Sequence, residues 1–249
     1  MWLENSRASR LVYFFDLARL CCSALPPKSL SSNSGLPPRA ARMEPNGALR
    51  MKNGADRNQP VYWDARFSEE GYAYGTEPND FLVSVVDLAR KGDALCLCEG
   101  EGRNATFLGQ RGFQVTAVDF SPVALAKATA LAAERGVALK TRECDLATFD
   151  PGVAQWELVT MIFGQPDAAV RRALYARIAD CLRPNGAFVL ETKSEENSTL
   201  DSRYPGSAVL CAELTNLEFV IARDGERVLK EGRYHDGRQR TAQILAFKR

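Results

Sequence analysis

Apolar and polar positions along this chain follow two periods, and the change from one to the other recurs through most of its length. Between Asp80 and Arg90, Leu82, Val85, Val86 and Ala89 fall on one face at helical spacing, and Lys91-Gly92 ends the run. Gly75-Thr76-Glu77-Pro78-Asn79 ahead of it is a turn that caps a helix. Small, mostly apolar residues from Ala94 to Cys98 then predict a buried strand. It breaks at Glu99-Gly100-Glu101-Gly102, and a short helix is expected from Arg103 to Gln110. A second apolar run, Gln114 to Val118, ends in Asp119. Ser121-Pro122 supplies an N-cap with proline at the first helical position, and the Ala-rich helix that follows closes at Gly136. Strands are expected near Leu139–Arg142, at Glu157–Phe163 and at Ala187–Thr192, with a helix from about Asp167 to Leu182 between the last two. Strand and helix alternating at this pitch predict an α/β, Rossmann-like fold: a mostly parallel sheet with right-handed crossovers and helices on both faces.

Both ends of the chain depart from that rhythm. Leu217–Ala222, Arg227–Glu231 and Arg240–Phe247 are strand-like and separated by Asp224-Gly225 and Asp236-Gly237. Asp-Gly between strand patterns signals a hairpin, so the sheet is expected to finish in C-terminal antiparallel hairpins. Residues 1–57 differ in composition. Up to Arg42 there are six Lys or Arg and seven Ser against only Glu4 and Asp16, and Pro26-Pro27 and Pro37-Pro38 interrupt any helix. This leader reads equally as an organellar transit peptide or as an over-extended start, since Met43 and Met51 could each begin the protein. The folded domain is therefore expected over residues 58–249. Its location is cytoplasmic, or mitochondrial or plastid if the leader is a transit peptide. Leu11 to Leu20 is apolar but short, and Asp16 and Arg19 interrupt it, so no membrane span is expected.

Composition narrows the partners. Lys plus Arg number 32 against 31 for Asp plus Glu, which leaves no basic excess to neutralise a nucleic-acid backbone. Of the seven cysteines, several lie inside apolar strand-like runs, which points to reduced, buried thiols. Cys96-Leu97-Cys98 is too closely spaced for half a zinc site, and no second Cys or His pair completes one, so no metal is expected. Oligomeric state leaves no mark on the sequence.

The chemistry concentrates at the first strand-to-helix break. Closely spaced glycines let a ligand approach the main chain, and the helix start beyond them offers unpaired N–H groups. Asp119, at the tip of the next parallel strand, stands where a ribose would place its hydroxyls. A nucleoside-containing cofactor is the reading. Gly100-Glu101-Gly102-Arg103-Asn104-Ala105 satisfies G-x-G-x-x-A, so an NAD(P)-dependent oxidoreductase must be considered, although that pattern alone is weak. Three features favour S-adenosylmethionine (SAM): Asp145 on a turn after the third strand, Leu182-Arg183-Pro184-Asn185-Gly186 before the fifth, and an ending in hairpins instead of a second parallel half.

Five stretches carry a more specific likeness: YWDARFSEEGYAYGTEPN from Tyr62, CEGEGRNATFLGQRGFQVTAVDFSP from Cys98, CDL at 144–146, LRPNGAFVLET at 182–192 and EGRYHDG at 231–237. With them, residues from about Tyr62 to Lys248 resemble a class I SAM-dependent methyltransferase, and most resemble the small-molecule branch that includes the tellurite-resistance and thiopurine enzymes. The resemblance implies a methyl donor held by Gly100, Gly102, Asp119, Asp145 and Leu146, with Phe120 stacking on adenine or ribose. Cys96 occupies the place where the class usually has an acid, and Glu99 is the candidate to replace it toward the methionine amino group. Asn104 is a further candidate contact at the helix start. Trp63 and Tyr74 are the best candidates for a lid within the aromatic cluster from Tyr62 to Tyr74.

The acceptor implied is a small molecule, a thiol, a selenium or tellurium anion or a similar soft nucleophile, with no nucleic acid or membrane as partner. Such acceptors need no dedicated base. His235, the only histidine, is the natural candidate if one is needed, though a histidine beside a hairpin turn is more often solvent-facing or structural. Gln165, in the turn after the fourth strand, is a candidate for orienting the acceptor. A non-catalytic SAM-binding module is the other competing reading.

Overall fold

The computed structural model describes residues 57–249, so the expected leader lies outside the described residues apart from Arg57. Among the described residues seven strands run as β1 (Asp93–Leu97), β2 (Gln114–Asp119), β3 (Leu139–Glu143), β4 (Trp156–Ile162), β5 (Leu182–Lys193), β6 (Leu217–Lys230) and β7 (Asp236–Lys248). They form one sheet in the order β3-β2-β1-β4-β5-β7-β6. The first five are parallel, and β7 inserts antiparallel between β5 and β6. The helices are α1 (Pro60–Phe67), α2 (Asp80–Val85), α3 (Arg103–Gln110), α4 (Pro122–Glu134), α5 (Ala168–Tyr175), α6 (Ile178–Cys181) and α7 (Ser207–Glu213).

Alternation along each strand divides the core into two layers. Ala94 and Cys96 of β1, Val115 and Ala117 of β2, and Ala187 and Val189 of β5 face one layer with Phe81, Leu82 and Val85 of α2 and Leu108 of α3. Their neighbours Leu95, Leu97, Val118, Phe188 and Leu190 face the other, against Leu174, Tyr175, Ile178 and Leu210. Burial on both faces explains why the central strands read as continuous apolar runs. The β3 edge instead carries exposed Lys140, Arg142 and Glu143, which discourage pairing with another chain.

Several boundaries differ from the sequence expectation, each for a local reason. The helix expected to Arg90 is α-helical only to Val85, then tightens into a 3-10 turn and ends where Ala89 becomes extended. Its predicted face is nonetheless buried at Leu82, Val85, Val86 and Ala89. The helix expected over 167–182 is two helices, α5 and α6, broken near Arg177. The three C-terminal strands are two long ones, and Asp224-Gly225 lies inside β6, paired with Ala242 and Thr241 of β7. Asp224 accepts hydrogen bonds from the Ser207 N–H and Oγ at the start of α7, so its carboxylate serves a helix instead of a turn. The single hairpin bend falls at residues 231–235, just before Asp236-Gly237. No sequence signal anticipated α7.

Candidate functional site

The strand order reverses between β1 and β4, and a crevice opens beyond their C-terminal ends. After β1 the backbone enters the left-handed region at Cys98 (φ 52°), Gly100 (φ 64°) and Gly102 (φ 88°). After β4 it does so at Phe163 (φ 55°). Left-handed Cys and Phe are unfavourable conformations that the surrounding packing must hold in place. Gly164 explains how the two strand ends approach. A Cβ there would lie 2.7 Å from the Met161 methyl and 2.8 Å from the Cys98 Cβ.

Two carboxylates stand at this break. Glu99 accepts the Ala105 N–H at 2.7 Å, so it caps the start of α3. Asp119 accepts the Gly100 N–H at 2.9 Å on one oxygen and the Ser121 N–H at 3.0 Å on the other. Burial outweighs these hydrogen bonds: it pushes Glu99 up to about 7 and Asp119 up to about 6. Cys96, by contrast, points into the core beneath the sheet and does not reach the crevice.

The crevice is roofed by α1 and the 68–75 loop. Trp63 stacks on Phe67 with centroids 5.7 Å apart and donates its indole N–H to the Arg57 carbonyl at 2.8 Å. Glu101 secures the loop, accepting from the Ala73 N–H at 2.7 Å and from Lys127 Nζ at 3.1 Å. The bend between β6 and β7 closes the far side. Gly232 sits so tightly against the backbone of Tyr74 and Gly75 that no side chain would fit there. A buried network fixes this bend to α3: Arg103 donates to Glu231 at 2.6 Å, and Asn79 donates to Glu191 and Glu231 at 2.6 and 3.1 Å.

The cavity has a volume of about 440 Å³. Eleven of the twelve sequence candidates line it: Glu99, Gly100, Asn104, Asp119 and Phe120 from the β1 and β2 ends, Asp145 and Leu146 after β3, Gln165 after β4, and Trp63, Tyr74 and His235 from the cover. Gly102 does not line it. A Cβ at Gly102 would lie 2.6 Å from Ala128 Cα and Cβ, so this glycine permits α3 to pack on α4. Asn104 has a structural partner as well, its Oδ1 accepting the Asn79 N–H at 2.9 Å. Asp145 is exposed and accepts the Ala147 N–H at 2.9 Å, which orders its turn.

His235 departs from the solvent-facing position usual beside a hairpin turn. It is 8 % exposed, and its ring lies 4.7 Å from that of Tyr74 and 4.3 Å from that of Phe163. Its Nδ1 is buried without a hydrogen-bond partner. Burial, reinforced by Lys193, Arg103, Arg227 and Arg66, pushes its pKa down to about 3. Sequence reasoning missed Arg66, Lys193, Cys98 and Phe163, all of which line the cavity. Lys193 reads as an ordinary solvated strand end, and only the sheet order brings it to the crevice.

A cavity of this volume lies within the range of about 300–1,000 Å³ typical of small-molecule sites. Glu99 and Asp119 have no ion-pair partner among the described residues, and their raised pKa values mark a place that a ligand bringing positive charge and hydroxyl donors would relieve. That donor set fits SAM, a cation with a ribose. Among the described residues no His, Cys, Asp or Glu cluster could hold a metal ion, and no helix is long and apolar enough to cross a membrane.

Comparison with known proteins agrees with this geometry. Residues 94–186, from β1 into β5, match the model of a family described as a methyltransferase domain. A SAM-dependent methyltransferase from Methanosarcina mazei superposes with a TM-score of 0.54 at 14% identity, over 66% of this chain and 96% of its own. TehB from Haemophilus influenzae gives 0.56 at 14% identity, over 68% and 62% respectively. A chain solved for the conversion of a disulfide bond into a thioacetal group during echinomycin biosynthesis gives 0.62 at 13% identity, over 76% and 88%. At such identities the superpositions show a shared fold. A search of curated proteins returned no match.

Proposed function

We propose that this SAM-dependent methyltransferase transfers its methyl group to a small, soft nucleophile: a thiol, a selenium or tellurium anion, or a similar acceptor, as in the small-molecule branch that the sequence resembles. One observation carries the reading. The cavity is roofed by aromatic side chains and holds no strong imidazole base, because its only histidine is pushed down to about 3. An acceptor that arrives with its electron pair free needs no such base.

SAM supplies a methyl group on a positively charged sulfur, open to in-line displacement. The chain's own residues then have two tasks, to align the partners and to exclude water, and such positioning is worth about 7–11 kcal/mol. Glu99 faces the amino end of the donor. Asp119, which accepts Gly100 and Ser121 on separate oxygens, takes the ribose hydroxyls. Asp145 and Leu146 meet adenine, and Phe120 stacks beside it. Gly100 lets the main chain come close, whereas Gly102 and Asn104 hold α3 in the place that makes this possible. Trp63 and Tyr74 cover the site, and Gln165 with the unpaired His235 Nδ1 orients the acceptor.

The test is incubation with methyl-labelled SAM and separate thiol, selenide, tellurite, amine and phenol acceptors, read by mass spectrometry. Methylated sulfur, selenium or tellurium products in excess of the others are expected. Transfer confined to amines or phenols would overturn the assignment, and silence across the panel would favour a non-catalytic module.

A further inference from the structure

Charge in the cavity is divided by the order of the strands. The side formed by β1, β2 and the turn after β3 contributes Glu99, Asp119 and Asp145. The side formed by α1, the turn before it and the end of β5 contributes Arg57, Arg66 and Lys193. None of these three cations has an ion-pair partner among the described residues. Arg66 donates to the hydroxyls of Tyr74 and Tyr62 at 3.2 and 2.8 Å and lies 3.8 Å from the centre of the Tyr234 ring. Arg57 reaches the Tyr204 hydroxyl. The Lys193 ammonium makes no hydrogen bond among the described residues, although the residue is half-buried.

Nearby acids are already committed. Asp167 pairs with Arg203 at 2.8 Å, Glu69 with Arg233 at 2.5 Å and Tyr234, and Glu231 with Arg103 at 2.6 Å and with Arg227. Burial, and then the proximity of Arg57 and Arg66, pushes the Lys193 pKa down. A half-buried cation beside two others is unfavourable unless something negative arrives. His235, nine-tenths buried with a free Nδ1, lies in the same part of the cavity. The cationic donor takes the acidic side, so the basic side is left for its partner.

We infer that the methyl acceptor carries an oxyanion, a carboxylate-type group, which Lys193 and Arg66 bind at the β5 side of the cavity. This rests on the cavity being the methyl-transfer site proposed above. The aromatic rings of Tyr62, Tyr74, Phe163 and Tyr234 surround the same space and suit a flat organic body behind that anion. An inorganic oxyanion serving as the acceptor itself presents the same charge, and the test separates the two sources.

The test is calorimetric titration of benzoate, benzamide and selenite into protein saturated with S-adenosylhomocysteine, the demethylated donor. Benzoate should bind about tenfold or more tighter than its neutral isostere, in keeping with charge-assisted hydrogen bonds. Lys193→Met should remove that preference, leave S-adenosylhomocysteine binding unchanged and raise the melting temperature of the ligand-free protein. A lysine held for structural reasons would give the opposite shift in melting temperature. Selenite binding that depends on Lys193, without benzoate binding, assigns the site to an inorganic oxyanion. Equal affinities for benzoate and benzamide with no selenite binding, or a preference that survives Lys193→Met, overturn the inference. S-adenosylhomocysteine binding with no anion preference removes this inference alone, whereas loss of S-adenosylhomocysteine binding removes the functional reading beneath it.

Discussion

Replacing Glu99 with glutamine should stabilise the ligand-free protein and weaken its hold on the methyl donor. Burial lifts the Glu99 carboxyl from its ordinary 4.5 to about 7, against the opposing pull of the Ala105 N–H and Arg103. A group whose pKa is raised on folding contributes stability that is complete below its unfolded value and lost as pH rises through the folded one. The window here is about 4.5 to 7. At about 1.4 kcal/mol per pH unit, the ionised carboxylate costs the folded chain roughly 3 kcal/mol above pH 7. Glutamine is nearly isosteric and its carbonyl can still accept the Ala105 N–H, so the substitution removes much of that cost and keeps the cap. Thermal melts of both proteins at pH 5.5 and pH 8 would read the effect. The variant should melt several degrees higher than the parent at pH 8, since about 1 kcal/mol corresponds to roughly 2–4 °C in a domain of this size. At pH 5.5, about one unit above the unfolded value, the gap should narrow to about 1.4 kcal/mol, less than half of that at pH 8. Excess SAM should then stabilise the parent more than the variant, reversing the order. A variant that melts lower than the parent by the same margin at both pH values would refute the reasoning, because it would make Glu99 a plain stabilising cap.

Two further substitutions separate binding from packing. Asp119→Ala should weaken SAM binding by about 1.5–3 kcal/mol for each charge-assisted hydrogen bond lost, measured by calorimetry; unchanged affinity would show that the ribose lies elsewhere. Gly102→Ala should destabilise the fold by about 1–3 kcal/mol, because its methyl would meet Ala128 at 2.6 Å. Gly100→Ala, whose methyl meets only Phe67 at 3.4 Å, should be milder in a denaturant melt and act mainly on donor affinity; the reverse ranking would contradict the packing role given to Gly102.

The strand ends that gather the residues proposed for the donor are legible because their signals are local. The break at Gly100, the acid ending β2 and the turn after β3 each follow an apolar strand by a short, fixed interval, and a parallel sheet brings such strand ends together. Gly102 reads as a ligand contact in the sequence, where a glycine that clears space for a ligand cannot be told from one that clears space for α4. The residues proposed for the acceptor are mostly illegible. Lys193 and His235 come together only because β7 inserts beside β5, and that pairing spans residues far apart in the chain. Asp224-Gly225 misled for a related reason: a turn signal yields when a helix start such as that of α7 claims the aspartate.

The central claim is that the cavity where β1 and β4 part holds SAM. Calorimetric titration of the purified protein with SAM, S-adenosylhomocysteine and NAD(H) tests it most directly. Saturable binding of the first two with none of the third is the predicted result, and tight NAD(H) binding with none for SAM would contradict it.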